Sequence, residues 1–237
     1  MNIYLMTALP LLTGFAAIML IGSLQGSRFE VKGVVGPYFG ALAIMFGLFA
    51  SLMAGDSWRK VASANTFLAT EVNALRAINL LSDALGTDGD ELRSITGRYV
   101  AEELLAEADY IDHGAVQLAE LPSLIVLHKL IFKDKAELAA IKAQLFHYAD
   151  QLRTARTERQ ELKRNHLSSV KLTMLFLLGA ITQVAVAMCH SGSKSATNYT
   201  VGLFTIAFAL TVHFIVMFDS AQNFAEVVDL SILSEVT

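Results

Sequence analysis

The sequence predicts an all-α integral membrane protein, with four transmembrane helices in two hairpins and a large helical cytoplasmic domain between them. Four stretches contain no Asp, Glu, Lys or Arg: residues 1–27, 33–55, 172–193 and 195–218. Each is long enough to cross a bilayer as a helix, because about 30 Å of hydrocarbon requires roughly 20 apolar residues. Residues 56–171 hold 15 of the 18 basic and 17 of the 22 acidic residues, which indicates a domain in water.

The elements follow in order along the chain. Residues 1–55 form the first hairpin, and its first span, Ile3 to about Ser23, is expected to be retained because no basic residue precedes it as in a signal peptide. Residues 56–171 form the helical domain, residues 172–218 the second hairpin, and residues 219–237 a cytoplasmic tail. The spans are continuous apolar runs, unlike the alternating pattern of outer-membrane strands. We expect the four segments to form one structural unit.

The distribution of basic residues predicts the orientation. The only basic residues in the short hairpin loops are Arg28, Lys32 and Lys194. The other ends of the spans are followed or preceded by a larger set: Arg59, Lys60, Arg153, Arg156, Arg159, Lys163, Arg164 and Lys171. The positive-inside rule therefore places the large domain and both termini in the cytoplasm.

The cytoplasmic domain is predicted to be helical throughout. No Gly or Pro interrupts the helical spacing from Trp58 to Leu85, so span two is expected to continue into the domain. Gly86–Asp90 is a helix breaker, and a second helix follows over about Glu91–Ile111. Leu124–Phe132 is a short apolar helix, and a long helix from near Asp134 is expected to continue into span three.

A heptad pattern marks that long helix. Its apolar residues recur at seven-residue intervals in two series: Leu138, Leu145 and Leu152, and Ile141, Tyr148, Ala155 and Leu162. This seam predicts packing against another helix, either within the chain or on a partner protein.

The sequence contains none of the motifs of an enzyme active site, and we predict no catalytic residues, no cofactor and no metal site. Asp109 and His113 lie four residues apart, as do Glu103 and Glu107, but no matching ligands are evident on another helix. We interpret both pairs as solvated helix faces. The chain has no basic run that would indicate nucleic-acid binding.

Two residues in the second hairpin need separate interpretation. His213 lies inside span four, where ionisable groups are costly and often functional. A neutral imidazole that is hydrogen-bonded to a neighbouring helix is the simplest interpretation, and a role in a pore, a proton relay or pigment binding is the alternative. The single cysteine, Cys189, excludes an internal disulfide.

Span two carries the pattern that is most suggestive of function. Four residues at intervals of four form one stripe: Ala41, Met45, Phe49 and Met53. Nearby glycines would allow close helix approach: Gly36, Gly40 and Gly47. In an oligomer such a stripe can form hydrophobic rings that gate ions by dewetting. The alternative is a plain contact with another helix or with lipid.

Several motifs resemble those of a known family. Trp58 follows Phe49 by nine positions, the basic pair Arg59-Lys60 comes next, and an Arg-rich helix precedes span three. These features, with the order of hairpin, long helical stretch, hairpin and short tail, resemble the bacterial bestrophin-like family, which is related to bestrophin channels. The resemblance covers nearly the whole chain, and Ala41 and Met45 match the apolar neck residues of bestrophins together with Phe49.

The chain also departs from the family pattern. Ser63-Ala64-Asn65 stands where the family has Glu-Ala-Asn, and His166–Ser169 lacks the usual Pro. Asp219–Phe224 keeps the Asp and a Phe but lacks the Pro and Gly. Ala41 is smaller than the usual neck residue, so the constriction would be wider there. The acidic calcium clasp of animal bestrophins has no match, and we expect no calcium activation.

The resemblance implies a homopentamer in the bacterial cytoplasmic membrane, in which span two lines a central pore. It implies passive conduction of small ions, mostly anions, with a gate at Met45 and Phe49. The alternative hypothesis is a non-conducting scaffold or accessory subunit whose heptad seam docks a partner protein. A membrane enzyme or a pigment-binding subunit that uses His213 is a third hypothesis.

Overall fold

The computed structural model describes residues 3–24, 35–85, 87–113, 120–131, 139–164, 169–190, 192–218 and 228–235. Seven α-helices occur among these residues: α1 (Ile3–Leu24), α2 (Val35–Asp83), α3 (Thr87–His113), α4 (Pro122–Ile131), α5 (Ala139–Arg164), α6 (Ser169–Cys189) and α7 (Lys194–Met217). A 3₁₀ helix, Leu230–Glu235, follows near the C-terminus. The described residues contain no β-strand, so the prediction of an all-α fold is confirmed.

The chain divides into two compact units. The first, which we call the membrane unit, consists of residues 1–58 and 167–220, and the second, the charged unit, consists of residues 59–166 and 221–237. Helix α2 begins in the membrane unit and ends in the charged unit. The domain boundaries predicted from the sequence stay predictions.

Three helices are long and apolar enough to cross a membrane, namely α2, α6 and α7. Their apolar stretches carry almost no charge because each charged side chain in hydrocarbon is costly. These three helices indicate an integral membrane protein.

An aromatic cluster fills part of the core of the membrane unit. Phe46 of α2 packs edge-on against Phe208 of α7, with ring centroids 5.3 Å apart, and Phe204 and Phe176 pack around them. Gly179 of α6 lies directly against the Phe208 ring, and a Cβ there would collide with that ring. The small residue therefore lets α6 and α7 approach closely.

Polar contacts also tie α1 to α6 and α7. The amide nitrogen of Gln183 donates to the carbonyl oxygen of Pro10 at 3.0 Å and to Oγ1 of Thr205 at 3.0 Å. Gly14 lies so close to Thr205 that a Cβ there would collide with the threonine hydroxyl. Such hydrogen bonds hold helices together in an apolar surrounding, where each unpaired polar group is costly.

In the charged unit, the helices agree with the sequence expectations within a few residues. The uninterrupted extension of span two is confirmed, because α2 runs as one helix to Asp83. Helices α3 and α4 lie where helices were expected, but α3 begins at Thr87. The prediction that residues 87–90 belong to a helix breaker is therefore wrong, because they form the first turn of α3. The expected start of the long helix near Asp134 and its continuation into span three fall on residues 132–138 and 165–168, which lie outside the described residues.

Part of the heptad seam of α5 is internal to the charged unit. Leu145, Leu152 and Ala155 are buried, whereas Leu138 lies outside the described residues. These buried members of the seam therefore pack within the chain, whereas Ile141, Tyr148 and Leu162 are half-buried. Docking of a partner protein on the seam stays a prediction.

Candidate pore-lining face and buried charge network

The four stripe residues of α2 do not share one environment in the structure. Ala41 and Met45 are exposed, and Met45 is 57% exposed. Phe49 is half-buried and packs against the core cluster, and Met53 is 1% exposed within that cluster, against α6 and α7. The assignment of the stripe to a pore stays a prediction, but Met53 belongs to the interior of the membrane unit.

Helix geometry explains why the stripe turns inward. At 3.6 residues per turn, each step of four residues advances by about 40° beyond a full turn. Three such steps rotate the stripe by about 120° around the axis. A stripe that begins on the exposed side at Ala41 therefore reaches the buried side at Met53.

In the membrane unit, the exposed face of α2 follows a mixed spacing of three and four residues. It is broad and apolar, with large side chains that are 57–68% exposed: Tyr38, Ile44, Met45, Leu48 and Leu52. Ala41 lies among them. We call these six residues the apolar half of the α2 face. It contains no charged side chain.

In the charged unit, α2 also has one exposed side. Its residues recur at intervals of three and four: Arg59, Ala62, Thr66, Ala69, Asn73, Arg76 and Leu80. We call these seven residues the basic half of the α2 face. Between residues 57 and 82, the only acidic residue of α2 is Glu71, and Glu71 is fully buried. The exposed side of this segment therefore carries arginines and no carboxylate.

Behind the basic half, Glu71 belongs to a buried charge network. Arg159 of α5 donates to both carboxylate oxygens of Glu71, from Nε to Oε1 at 2.8 Å and from Nη2 to Oε2 at 3.2 Å. The hydroxyl of Tyr99 on α3 donates to Glu71 Oε2 at 3.0 Å. Glu71 and Arg159 are both 0% exposed. Bidentate hydrogen bonds of this kind fix the orientation of both side chains.

The network continues between α3 and α5. Glu103 accepts from Arg159 at 2.6 Å, from Arg156 at 2.7 Å and from Gln160 at 2.7 Å. One turn further along both helices, Lys163 pairs with Glu107. The network thus sets three carboxylates against three basic side chains, so the buried charges balance.

Two buried atoms of the network have no hydrogen-bond partner among the described residues. They are Nη1 of Arg159 and Oε1 of Glu107. Each leaves part of the cost of taking a charged group out of water uncompensated.

Burial and charge have opposite effects on the network's pKa values. Burial alone would raise the pKa of Glu103, but the charges of Arg159 and Arg156 and their hydrogen bonds outweigh burial and lower that pKa. Burial, followed by the neighbouring Arg159 charge, lowers the pKa of Lys163 against the opposing effect of Glu107. Burial, with the charges of Glu71 and Glu103, raises the pKa of Tyr99. Tyr99 therefore stays a neutral hydrogen-bond donor.

The structure corrects the interpretation of Glu103 and Glu107 as a solvated helix face. Both are buried, and each pairs with basic residues of α5. The sequence did contain a signal, because the four-residue spacing of these acids on α3 matches the spacing of Arg159 and Lys163 on α5. Sequence reasoning missed Glu71 altogether.

The remaining candidates lie on exposed surfaces. His113 and Asp109 contact each other at 2.9 Å and are both exposed, which agrees with a solvated face. No group of three or more His, Cys, Asp or Glu that could hold a metal occurs within the described part of the chain. His213 is exposed on α7, and its role stays a prediction.

An apolar multi-helix unit and a buried charge network define a helical membrane protein with a large charged unit. A family model, the Bestrophin-like domain, matches residues 8–229, which is nearly the whole chain. The chain therefore belongs to the Bestrophin-like family, and the resemblance noted from the sequence is confirmed. Comparison with curated proteins found no match, and comparison with solved structures found none either.

Proposed function

We propose that this protein is an oligomeric ion channel whose pore is lined by the exposed α2 face. The observation that carries the proposal is the single exposed side of α2 in each unit, which is apolar from Tyr38 to Leu52 and basic from Arg59 to Leu80. The exposed carboxylates at the two ends of the basic half, Asp56 and Asp83, pair with Lys171 and Arg93. A helix face of this length needs a covering surface or a water-filled path. Membership of the Bestrophin-like family supports ion conduction along this face rather than a plain contact with lipid or another helix.

The apolar half would form the narrow part of the pore. Rings of Met45, Leu48 and Leu52 from several copies would make a hydrophobic constriction that can gate by dewetting. Phe49 is half-buried and would support the constriction from the side. Met53, which the sequence placed in the same stripe, is no part of this proposed lining because it packs in the core.

The basic half supports a preference for anions. Each copy would contribute Arg59 and Arg76 and no carboxylate to the exposed side of this segment, because Glu71 is buried and paired with Arg159. Rings of positive charge attract anions and repel cations. We infer passive conduction of small anions, and the ionic strength of the solution would tune it.

Four spans in two hairpins, with the charged unit and both termini in the cytoplasm, are part of the proposal. The bonds of Gln183 to α1 and α7 and the close approach at Gly14 support α1 as a membrane span in addition to α2, α6 and α7. The basic flanks of the spans support the orientation. We propose a homopentamer in a bacterial cytoplasmic membrane, with no partner protein required.

Particle mass and ion flux together test this proposal. The full chain is purified in detergent, its mass is measured with the detergent subtracted, and chloride and sodium fluxes are compared in liposomes. A mass near five times 25.7 kDa with faster chloride flux is expected. A monomer, or liposomes no more permeable than empty ones, would overturn the proposal. An Arg76→Gln variant should lower the chloride preference, and Arg98→Gln, an exposed arginine on α3, serves as its matched control.

A further inference from the structure

We propose that Glu71 and Arg159 are positioning residues. Their buried pair fixes the rotation of α2 about its own axis and thereby determines which side chains lie on the exposed basic half of the α2 face. This inference rests on the proposed function for its consequence in conduction, although the rotation itself can be tested without it. The pair does not touch the proposed pore. It acts from the opposite side of the same helix.

The geometry of α2 places the pair behind the face. Asn73 follows Glu71 by two residues, which is a rotation of about 200° around the helix axis. Glu71 therefore points into the charged unit when Asn73 points out of it, as their burial and exposure agree. A rotation of α2 that released Glu71 would also carry Asn73 and Arg76 away from the exposed side.

The apolar contacts of α2 in the charged unit define its rotation less sharply. The buried side is a broad arc of small and aliphatic residues: Val61, Ala64, Leu68, Val72, Ala74, Leu75 and Ile78. Aliphatic packing is non-directional and tolerates small rotations better than hydrogen bonds do. The hydrogen bonds from the Arg159 guanidinium and the Tyr99 hydroxyl, in contrast, form only when the Glu71 carboxylate has one position and one orientation.

Buried ion pairs of this kind contribute more to specificity than to stability in some proteins. Here the network stays neutral if Glu71 and Arg159 are removed together, since Glu103 keeps Arg156 and Glu107 keeps Lys163. A double variant, Glu71→Leu/Arg159→Met, therefore removes the directional bonds without leaving an unbalanced charge. Stability and positioning can be separated in this variant.

The experiment measures thiol accessibility on two adjacent residues of α2. Cysteine is introduced as Asn73→Cys, at an exposed position, or as Ala74→Cys, at a buried one, in full-length protein with Cys189→Ala. The rate of labelling by a water-soluble maleimide is measured with and without the Glu71→Leu/Arg159→Met change. Thermal unfolding of each variant is followed in parallel.

With the Glu71–Arg159 pair present, a cysteine at position 73 should react with the maleimide much faster than a cysteine at position 74. In the double variant we expect this ratio to fall towards one while the unfolding midpoint stays near its original value. If the ratio is unchanged in a double variant that still folds, apolar packing alone sets the rotation and the proposal is overturned.

A second variant covers the case in which the double variant does not fold. Glu71→Gln keeps the side-chain volume but weakens the bonds from Arg159, and it should lower the labelling ratio part of the way. An unchanged ratio in Glu71→Gln would count against the proposal. Because labelling needs no ion flux, these results stand whether or not the protein conducts. In a conducting protein, the same variants should also shift the chloride-to-sodium permeability ratio.

Discussion

Removing Arg159 alone should destabilise the protein far more than removing a comparable arginine at the surface. Arg159→Met leaves Glu71 with only Tyr99 as its partner and takes one of three bonds from Glu103. Burial raises the pKa of Glu71 even beside Arg159, so without Arg159 the network must either hold one excess negative charge or take up a proton at Glu71. Arg153 of the same helix is the matched control, because it is 52% exposed and pairs with Glu120 at 3.1 Å.

The size of the effect follows from the environment of each pair. Breaking a buried ion pair by removing one partner costs about 3–5 kcal/mol, because an uncompensated charge stays out of water. Breaking an exposed pair costs at most about 1 kcal/mol. For a chain of this length, 1 kcal/mol shifts the unfolding midpoint by about 2–4 °C, so Arg159→Met should lower it by about 6–20 °C.

Thermal unfolding of the full chain in detergent, followed by circular dichroism, measures this difference. Arg153→Met should lie within about 4 °C of the original protein. Adding Glu71→Leu to Arg159→Met should recover most of the loss, because charge balance returns. If Arg159→Met unfolds at the same temperature as Arg153→Met, the network is not buried as described and the reasoning fails.

Three further predictions use matched pairs or a pH series. Met53→Ala should lower the free energy of unfolding by about 2–5 kcal/mol, because it leaves a cavity in the core. Met45→Ala should lower it much less and should raise the conductance. Thermal unfolding and bilayer recordings of the two variants measure these differences. Ionised Glu103 stabilises the fold because its pKa is lowered from the ordinary value of 4.5, and this stability is present above pH 4.5 and lost as the pH falls through the lowered value. Glu103→Gln should therefore flatten the dependence of the unfolding midpoint on pH below 4.5, and an unchanged slope would contradict the assignment. Gly14→Ala should destabilise the packing of α1, whereas Gly202→Ala, where a Cβ meets no atom within 4 Å, should not.

The fold class was predictable because it depends on where charge is absent. Charged side chains are too costly in hydrocarbon to interrupt a span, so the charge-free stretches mark the apolar helices. The long α2 helix was equally predictable, since nothing between Trp58 and Asp83 breaks a helix.

The direction that each side chain faces could not be predicted in the same way. A four-residue spacing shows that Ala41 and Met53 lie on one twisting stripe, but only the packing of α6 and α7 reveals that Met53 is inside. Acidic residues such as Glu103 are usually assigned to the surface, because burial is costly without a partner. The partner, Arg159, is 56 residues away in the sequence.

Fewer basic residues support the predicted orientation than the sequence suggests. Arg156, Arg159 and Lys163 counted as basic flanks in the sequence, but in the structure they are neutralised by carboxylates of α2 and α3. The proposed orientation therefore depends on the exposed basic residues, such as Arg59 and Arg164. Counting charges cannot distinguish a buried arginine from an exposed one.

The central claim is that ions pass along the exposed α2 face, and current block at a single α2 position tests it most directly. Leu48→Cys and Ala50→Cys are each made with Cys189→Ala and recorded in planar bilayers before and after a charged thiol reagent. Leu48 is exposed and Ala50 is buried in the core. The account predicts a rapid change of current for Leu48→Cys and little change for Ala50→Cys. A current that the reagent leaves unaltered at Leu48→Cys, despite complete labelling, would contradict a pore lined by α2.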